Sequence, residues 1–75
     1  MNKFRRKSLE EIKLKLEQLQ FDIDTLKDEE QEAHDNLPES IQYSEKGETM
    51  EENVSYLEEA YEYIQQAIDE LENIE

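Results

Sequence analysis

The residues able to do acid–base or metal chemistry are one histidine, His34, and 22 carboxylates, with no cysteine. Gln31, and not a glutamate, lies three residues before His34, so the Glu-x-x-His ligand pair of di-iron bundles is absent. With a single histidine and a single glycine, the chain also lacks a nucleophilic triad and a phosphate-binding loop. We therefore predict no catalytic residue, no metal site and no cofactor, and expect that the protein is not an enzyme.

The carboxylates are concentrated away from the basic start of the chain, and the net charge is −14. Residues 21–75 hold 19 Asp or Glu against two Lys, whereas residues 1–20 hold six Lys or Arg against three Glu. Such a surface repels phosphate, which argues against direct nucleic-acid binding. Three interpretations stay open for the acidic run: a solvated face, a surface that imitates the DNA phosphate array and binds a basic protein, or loose binding of cations without the ligand spacing of an EF-hand loop. The candidate partner surface comprises Asp28, Glu29, Glu32, Asp35, Glu45, Glu48, Glu51 and Glu52.

A long amphipathic helix must carry the first part of these residues. Ser8 with Glu11 forms a capping box that predicts a helix start near Ser8. Pro38 disfavours helical geometry at the residue before it and predicts an end near Asn36, giving helix 1 about 8–36. Apolar residues at alternating spacings of three and four predict its buried seam, interrupted only by Glu30: Leu9, Ile12, Leu16, Leu19, Ile23, Leu26, Ala33 and Leu37.

A second helix of similar length follows the only glycine. Gly47 can adopt a positive φ angle, and Thr49 with Glu52 forms another capping box, so we predict helix 2 over about 49–74. The connection, 37–48, is predicted to hold a short helix over 38–45, with Ile41 and Tyr43 closing the core. The seam of helix 2 has the same alternating spacing: Met50, Val54, Leu57, Tyr61, Ile64, Ile68 and Leu71.

Two matched seams joined by a bend predict an all-α fold: a two-helix antiparallel coiled-coil hairpin forming one domain, 1–75. Apolar residues remain outside these seams. They are either a widened core face or a surface for self-association, and we favour a homodimer that forms a four-helix bundle. The predicted self-association residues are Leu14, Phe21, Tyr56, Ala60, Tyr63, Ala67 and Ile74.

Composition places few other bounds on the protein. Hydrophobic residues are 35% and charged residues 40%, which approaches the composition of disordered chains, but the helical periodicity favours a folded domain. No run of 18 apolar residues and no signal sequence is found, so we expect no membrane segment and a cytoplasmic location.

One part of the chain resembles a known group of proteins. The run from Asp28 to Val54, with "DNLPES" and "SEKG" as its most specific parts, and the following "YLEEAYEYIQQAIDELENI" are similar to small acidic helical-hairpin proteins encoded by phages, prophages and mobile elements of Gram-positive bacteria. That group has no assigned function. The resemblance implies a mobile-element source and a helical hairpin, and many members have Phe at the position of His34.

Two functional hypotheses follow. The favoured one is a non-enzymatic acidic module that binds or inhibits a host protein, in its sharpest form a basic, nucleic-acid-binding protein. The alternative is a small structural or scaffold protein whose self-association is its function, with the negative charge serving solubility.

Overall fold

A computed structural model describes all 75 residues, from Met1 to Glu75, and contains three helices and no strand. Helix α1 spans Lys3–Asp35, the short helix α2 spans Glu39–Gln42, and α3 spans Glu45–Glu72. Helices α1 and α3 lie side by side in opposite directions, and the molecule measures 59 by 15 by 11 Å. The all-α hairpin and the short helix in its connection are therefore confirmed.

Helix α1 begins five residues before the predicted start near Ser8. The side chain of Asn2 accepts a hydrogen bond from the backbone N–H of Arg5 at 2.9 Å, which is the contact that defines a helix N-cap. Ser8 lies inside the helix and caps nothing. The capping box of Ser8 and Glu11 was therefore wrong as a start signal, because Asn2 offers an equally good cap about 1.7 turns earlier.

The bend is held by the side chain of Gln42. Its Nε2 donates to the backbone carbonyls of Leu37 at 2.9 Å and Asp35 at 3.2 Å, and so satisfies groups that the end of α1 leaves free. Pro38 is the N-cap of α2. Tyr43 was predicted to close the core, but its side chain is 78% exposed, because it follows the last residue of α2 and is not covered by α3.

Helix α3 begins at Glu45, after the N-cap Ser44, and thus earlier than the predicted residue 49. Gly47 lies within its first turn and no glycine has a positive φ angle, so the predicted role of Gly47 in the turn was wrong. Gly47 is instead a point of close approach. A Cβ atom added there would lie 2.0 Å from the backbone oxygen of Gln42, so only glycine lets α2 pack on the start of α3.

The interior of the hairpin uses the predicted seam of α3 but a rotated seam of α1. All seven predicted seam residues of α3 are buried or half-buried. On α1, only every second residue of the predicted seam faces the interior, namely Leu9, Leu16 and Ile23. The alternate residues of the predicted seam are exposed: Ile12, Leu19, Leu26 and Ala33. Their inward places are taken by the next residues along the chain: Lys13, Gln20, Lys27 and His34.

The interior is consequently small. Val54 and Ile68 are the only buried hydrophobic residues, with 6% and 2% of their surface accessible. A hairpin of this kind covers one stripe on each helix and leaves the remainder of both helices to solvent or to a further chain. None of the helices has the length and apolar content needed to cross a membrane.

Candidate interaction surfaces

A polar contact joins the two long helices near the middle of the hairpin. Gln20 is only 7% exposed, and its Nε2 donates to Oε1 of Gln65 at 2.8 Å and lies 3.4 Å from the backbone oxygen of Tyr61. The pair satisfies a side chain that would otherwise be buried without a partner. It also fixes which residues of α1 and α3 face each other.

The inward lysines of α1 lie at the edge of the same interface. Lys13 contacts Glu10 at 2.8 Å, and Lys27 contacts Asp28 at 3.1 Å and Asp24 at 3.4 Å. These hydrogen bonds raise the pKa of each lysine above its ordinary value. Each stem lies along the interface while its ammonium group stays at a carboxylate, so a lysine can occupy a position that the periodicity assigned to an apolar residue.

His34 lies in the last turn of α1 and is buried against α3. Its Nδ1 lies 3.1 Å from Oδ1 of Asp35, and its Nε2 lies 3.1 Å from Oε1 of Glu51. The contact between Nε2 and Glu51 is within ion-pair distance but lacks the geometry of a hydrogen bond. Nε2 is therefore buried without a hydrogen-bond partner. Hydrogen bonds from His34 and Gln31 lower the pKa of Asp35. No group of three or more His, Asp or Glu residues is arranged to hold a metal ion.

The acidic bend surface comprises the eight carboxylates named from the sequence, and all eight are exposed. Three of them have partners: Asp28 contacts Lys27, while Asp35 and Glu51 contact His34. The remaining five make no salt bridge and no side-chain hydrogen bond. They are Glu29, Glu32, Glu45, Glu48 and Glu52. The bend therefore presents a group of uncompensated negative charges.

An apolar face runs along one side of the hairpin, and its α1 part was missed from the sequence. Its α1 part is the exposed column of Ile12, Leu19 and Leu26, with 47%, 52% and 54% of their surface accessible. Leu26 and Tyr56 line one groove, which places the Tyr56 side of α3 next to this column. Residues three, four and seven apart share a helix face, which adds Ala60, Tyr63 and Ala67 to Tyr56 on α3. The whole apolar face is therefore Ile12, Leu19, Leu26, Tyr56, Ala60, Tyr63 and Ala67.

Three of the predicted self-association residues lie elsewhere. Leu14 and Phe21 are exposed, but at 100° per residue Phe21 lies about 200° around α1 from Leu19, and so nearly opposite the apolar face. Ile74 follows the last residue of α3 and is outside its heptad pattern. The signal that could have located the apolar face was the column of large aliphatic residues at Ile12, Leu19 and Leu26, which the sequence pattern assigned to the interior.

Comparison of the chain with protein-family models, with curated proteins and with solved structures found no match.

Proposed function

We propose that this chain is a non-enzymatic protein-interaction module that presents its acidic bend surface to a basic surface of another protein. The observation that carries this proposal is the set of five exposed glutamates at the bend with no salt-bridge partner. Like charges held this close destabilise the folded chain at low salt. A basic partner would remove that repulsion on binding, and so gain favourable electrostatic energy from both proteins.

The partner class follows from the chemistry of the surface. Carboxylates spaced three and four residues apart follow both helices into the bend, among them Glu29, Glu32, Glu48 and Glu52. A rod with rows of negative charge is complementary to a groove that binds the phosphates of nucleic acid. The partner is therefore a nucleic-acid-binding protein of the host, which the module inhibits by occupying that groove. The resemblance of the bend sequence to proteins of phages and mobile elements supports this interpretation.

Self-association is the second part of the proposal. The hairpin joins a second copy to form a four-helix bundle, in which the apolar side chains left outside a single hairpin become buried. The alternative function, a scaffold for which self-association is sufficient, is favoured by the exposed column of Ile12, Leu19 and Leu26. The two functions differ in whether the acidic bend surface is needed.

Affinity capture from the native host tests the proposal when it uses charge-matched variants. The bend variant carries E29Q, E32Q, E48Q and E52Q, all at exposed residues without a salt bridge. Glu51 is kept because it contacts His34. The control carries E11Q, E17Q, E72Q and E75Q in the half of the hairpin away from the bend. Each variant changes the net charge from −14 to −10.

The expected result is a basic partner that the native chain and the control capture and the bend variant does not. Its affinity for the native chain should fall steeply as the salt concentration rises, because the binding is electrostatic. A partner captured equally by all three chains would contradict the role of the acidic bend surface and favour the scaffold function. Equal loss in both variants would mean that only net charge matters, which also contradicts a localised site.

A further inference from the structure

The apolar face has the composition of a buried seam although it lies outside the hairpin. Ile12, Leu19 and Leu26 each expose about half of their surface, and they are separated by seven residues, a rise of about 10.5 Å. Tyr56 extends the face across α3, and Ala60, Tyr63 and Ala67 follow it along that helix at spacings of three and four residues. Leucine and isoleucine at every seventh residue, with small residues on the adjacent helix, are typical of a helix-packing surface.

We infer that a second copy of this chain covers the apolar face in an antiparallel arrangement, with the bend of each hairpin beside the chain ends of the other. The inference rests on the proposed self-association, and it adds which face of the hairpin forms the interface and how the two copies are oriented. The twofold axis crosses the hairpin at Leu19, which is the midpoint of α1, Lys3–Asp35.

The apolar column is self-complementary in this arrangement. A twofold axis at Leu19 places Leu19 against Leu19 of the second copy, and Ile12 against Leu26 of the second copy. On α3 the same axis passes close to Tyr63, so that Ala60 lies near Ala67 of the second copy. Each of the three large side chains of the α1 column thus meets an apolar partner, as a symmetric interface requires.

Charge at the edge of the column favours the antiparallel orientation over the parallel one. Lys15 and Asp22 flank Leu19 on the same side of α1 and are both exposed. In the antiparallel dimer, Lys15 lies next to Asp22 of the second copy, and the symmetry makes this pair twice. A parallel dimer would instead place α1 on α3 of the second copy and bring the two bends together.

The overall charge distribution also favours the antiparallel dimer over the parallel one. The bend half, residues 21–65, holds 15 carboxylates and two lysines, for a net charge of −13. The other half, residues 1–20 and 66–75, holds seven carboxylates and six Lys or Arg, for a net charge of −1. The antiparallel dimer keeps the two −13 regions at opposite ends, whereas a parallel dimer would hold them together.

The side of the hairpin that carries the apolar face is large enough for a stable dimer. The molecule measures 59 by 15 Å in its two longer dimensions, so one whole side, with its apolar and flanking polar residues together, has an area on the order of 900 Å², while a standard interface buries about 800 Å² per partner. A second copy is therefore a sufficient occupant without further segments.

Two matched substitutions test the face. Leu19→Lys places charge at the centre of the proposed interface, and Phe21→Lys places the same charge on the opposite side of α1, at a residue that is 66% exposed. By sedimentation velocity, L19K should raise the dimer dissociation constant more than about 100-fold, because a buried leucine is lost from each copy. F21K should change it less than about threefold. Circular dichroism checks that both variants stay helical.

The substitution Asp22→Lys tests the orientation. It changes the net charge from −14 to −12, so that general repulsion alone would make the dimer tighter. In the antiparallel dimer the introduced ammonium group would face Lys15 of the second copy, and we expect the dissociation constant to rise roughly 3- to 30-fold. The double variant K15D with D22K keeps the native net charge and should restore the native dissociation constant.

The outcomes separate this inference from the self-association on which it rests. If F21K disrupts the dimer and L19K does not, the assignment of the interface to the apolar face is wrong, while self-association itself is still supported. A tighter dimer in D22K would overturn the orientation alone. A native chain that stays monomeric would overturn both. If L19K loses its helical signal, Leu26→Lys at the end of the same column replaces it, with the same expected loss of dimer.

Discussion

Nε2 of Gln20 donates a hydrogen bond to Oε1 of Gln65 at 2.8 Å, across the interface between α1 and α3. At this level of the hairpin the heptad pattern assigns Leu19, an apolar residue, to the interior, but the structure buries Gln20 there instead. Because it takes an inward place on α1, Leu19 is displaced to the outside of the hairpin. One polar pair thus links the register of the hairpin to the apolar face that we assign to a second copy.

Replacing Gln20 by alanine should weaken the hairpin. The substitution leaves Oε1 of Gln65 without its donor, and we expect the free energy of unfolding to fall by about 1 to 2 kcal/mol. Gln18→Ala is the matched control, because Gln18 is exposed and bonds only to Asp22 on its own helix. Urea denaturation at one fixed protein concentration measures both. Equal effects of the two variants would contradict a structural role for Gln20.

Gly47→Ala should destabilise the protein, although the same change stabilises an ordinary helix by about 1 kcal/mol. The added Cβ would lie 2.0 Å from the backbone oxygen of Gln42, so α2 would have to move away from α3, at a cost of roughly 1 to 3 kcal/mol. Thr49→Ala, at an exposed position two residues along α3, is the control and should leave stability nearly unchanged. A higher midpoint of thermal unfolding for G47A would show that the two helices do not approach this closely.

Stability should fall at low pH in part through Asp35. Hydrogen bonds from His34 and Gln31 lower the pKa of Asp35 in the folded chain below its ordinary value of 3.8. Its contribution is therefore fully present above the pKa of the unfolded chain and is lost as the pH falls through the lowered pKa. Unfolding measured between about pH 2 and 5 should show a smaller loss of stability in Asp35→Asn than in the native chain. The same slope in both chains would rule out this contribution.

His34→Phe should preserve the fold. Nε2 of His34 is buried without a hydrogen-bond partner, so removing it leaves no group unsatisfied on that side, and a ring of similar size fills the space. We expect the free energy of unfolding to stay within about 1 kcal/mol of the native value or to rise. His34→Ala, which leaves a cavity, should lower it by about 2 kcal/mol or more. A larger loss in H34F than in H34A would indicate that the contacts of the ring nitrogens with Asp35 and Glu51 are essential.

The hairpin and the seam of α3 could be predicted from the sequence because large apolar residues occupy all seven seam positions of that helix. The orientation of α1 could not. Its apolar residues form two columns, one containing Leu16 and one containing Leu19, and the spacing alone does not tell which column faces α3. The choice depends on a hydrogen bond between distant residues, Gln20 and Gln65, and on lysine stems that cover apolar surface.

The ends of the helices were the other part that the sequence left undetermined. Asn2 and Ser8 are both suitable N-caps, and the structure uses Asn2. The helix therefore continues to the start of the chain, which lies beside the chain's other end. There the amino nitrogen of Met1 donates to the backbone oxygen of Glu75 at 2.9 Å. Gly47 suggested a turn, but its role is steric. The acidic bend surface needed no such choice, because charged side chains are exposed in either orientation.

Sedimentation equilibrium of the native chain, over the micromolar range and at physiological salt, tests most directly the claim that the hairpin leaves one face for a second copy. We expect the mass of two 9.0 kDa chains. A mass of one chain at every concentration would contradict it.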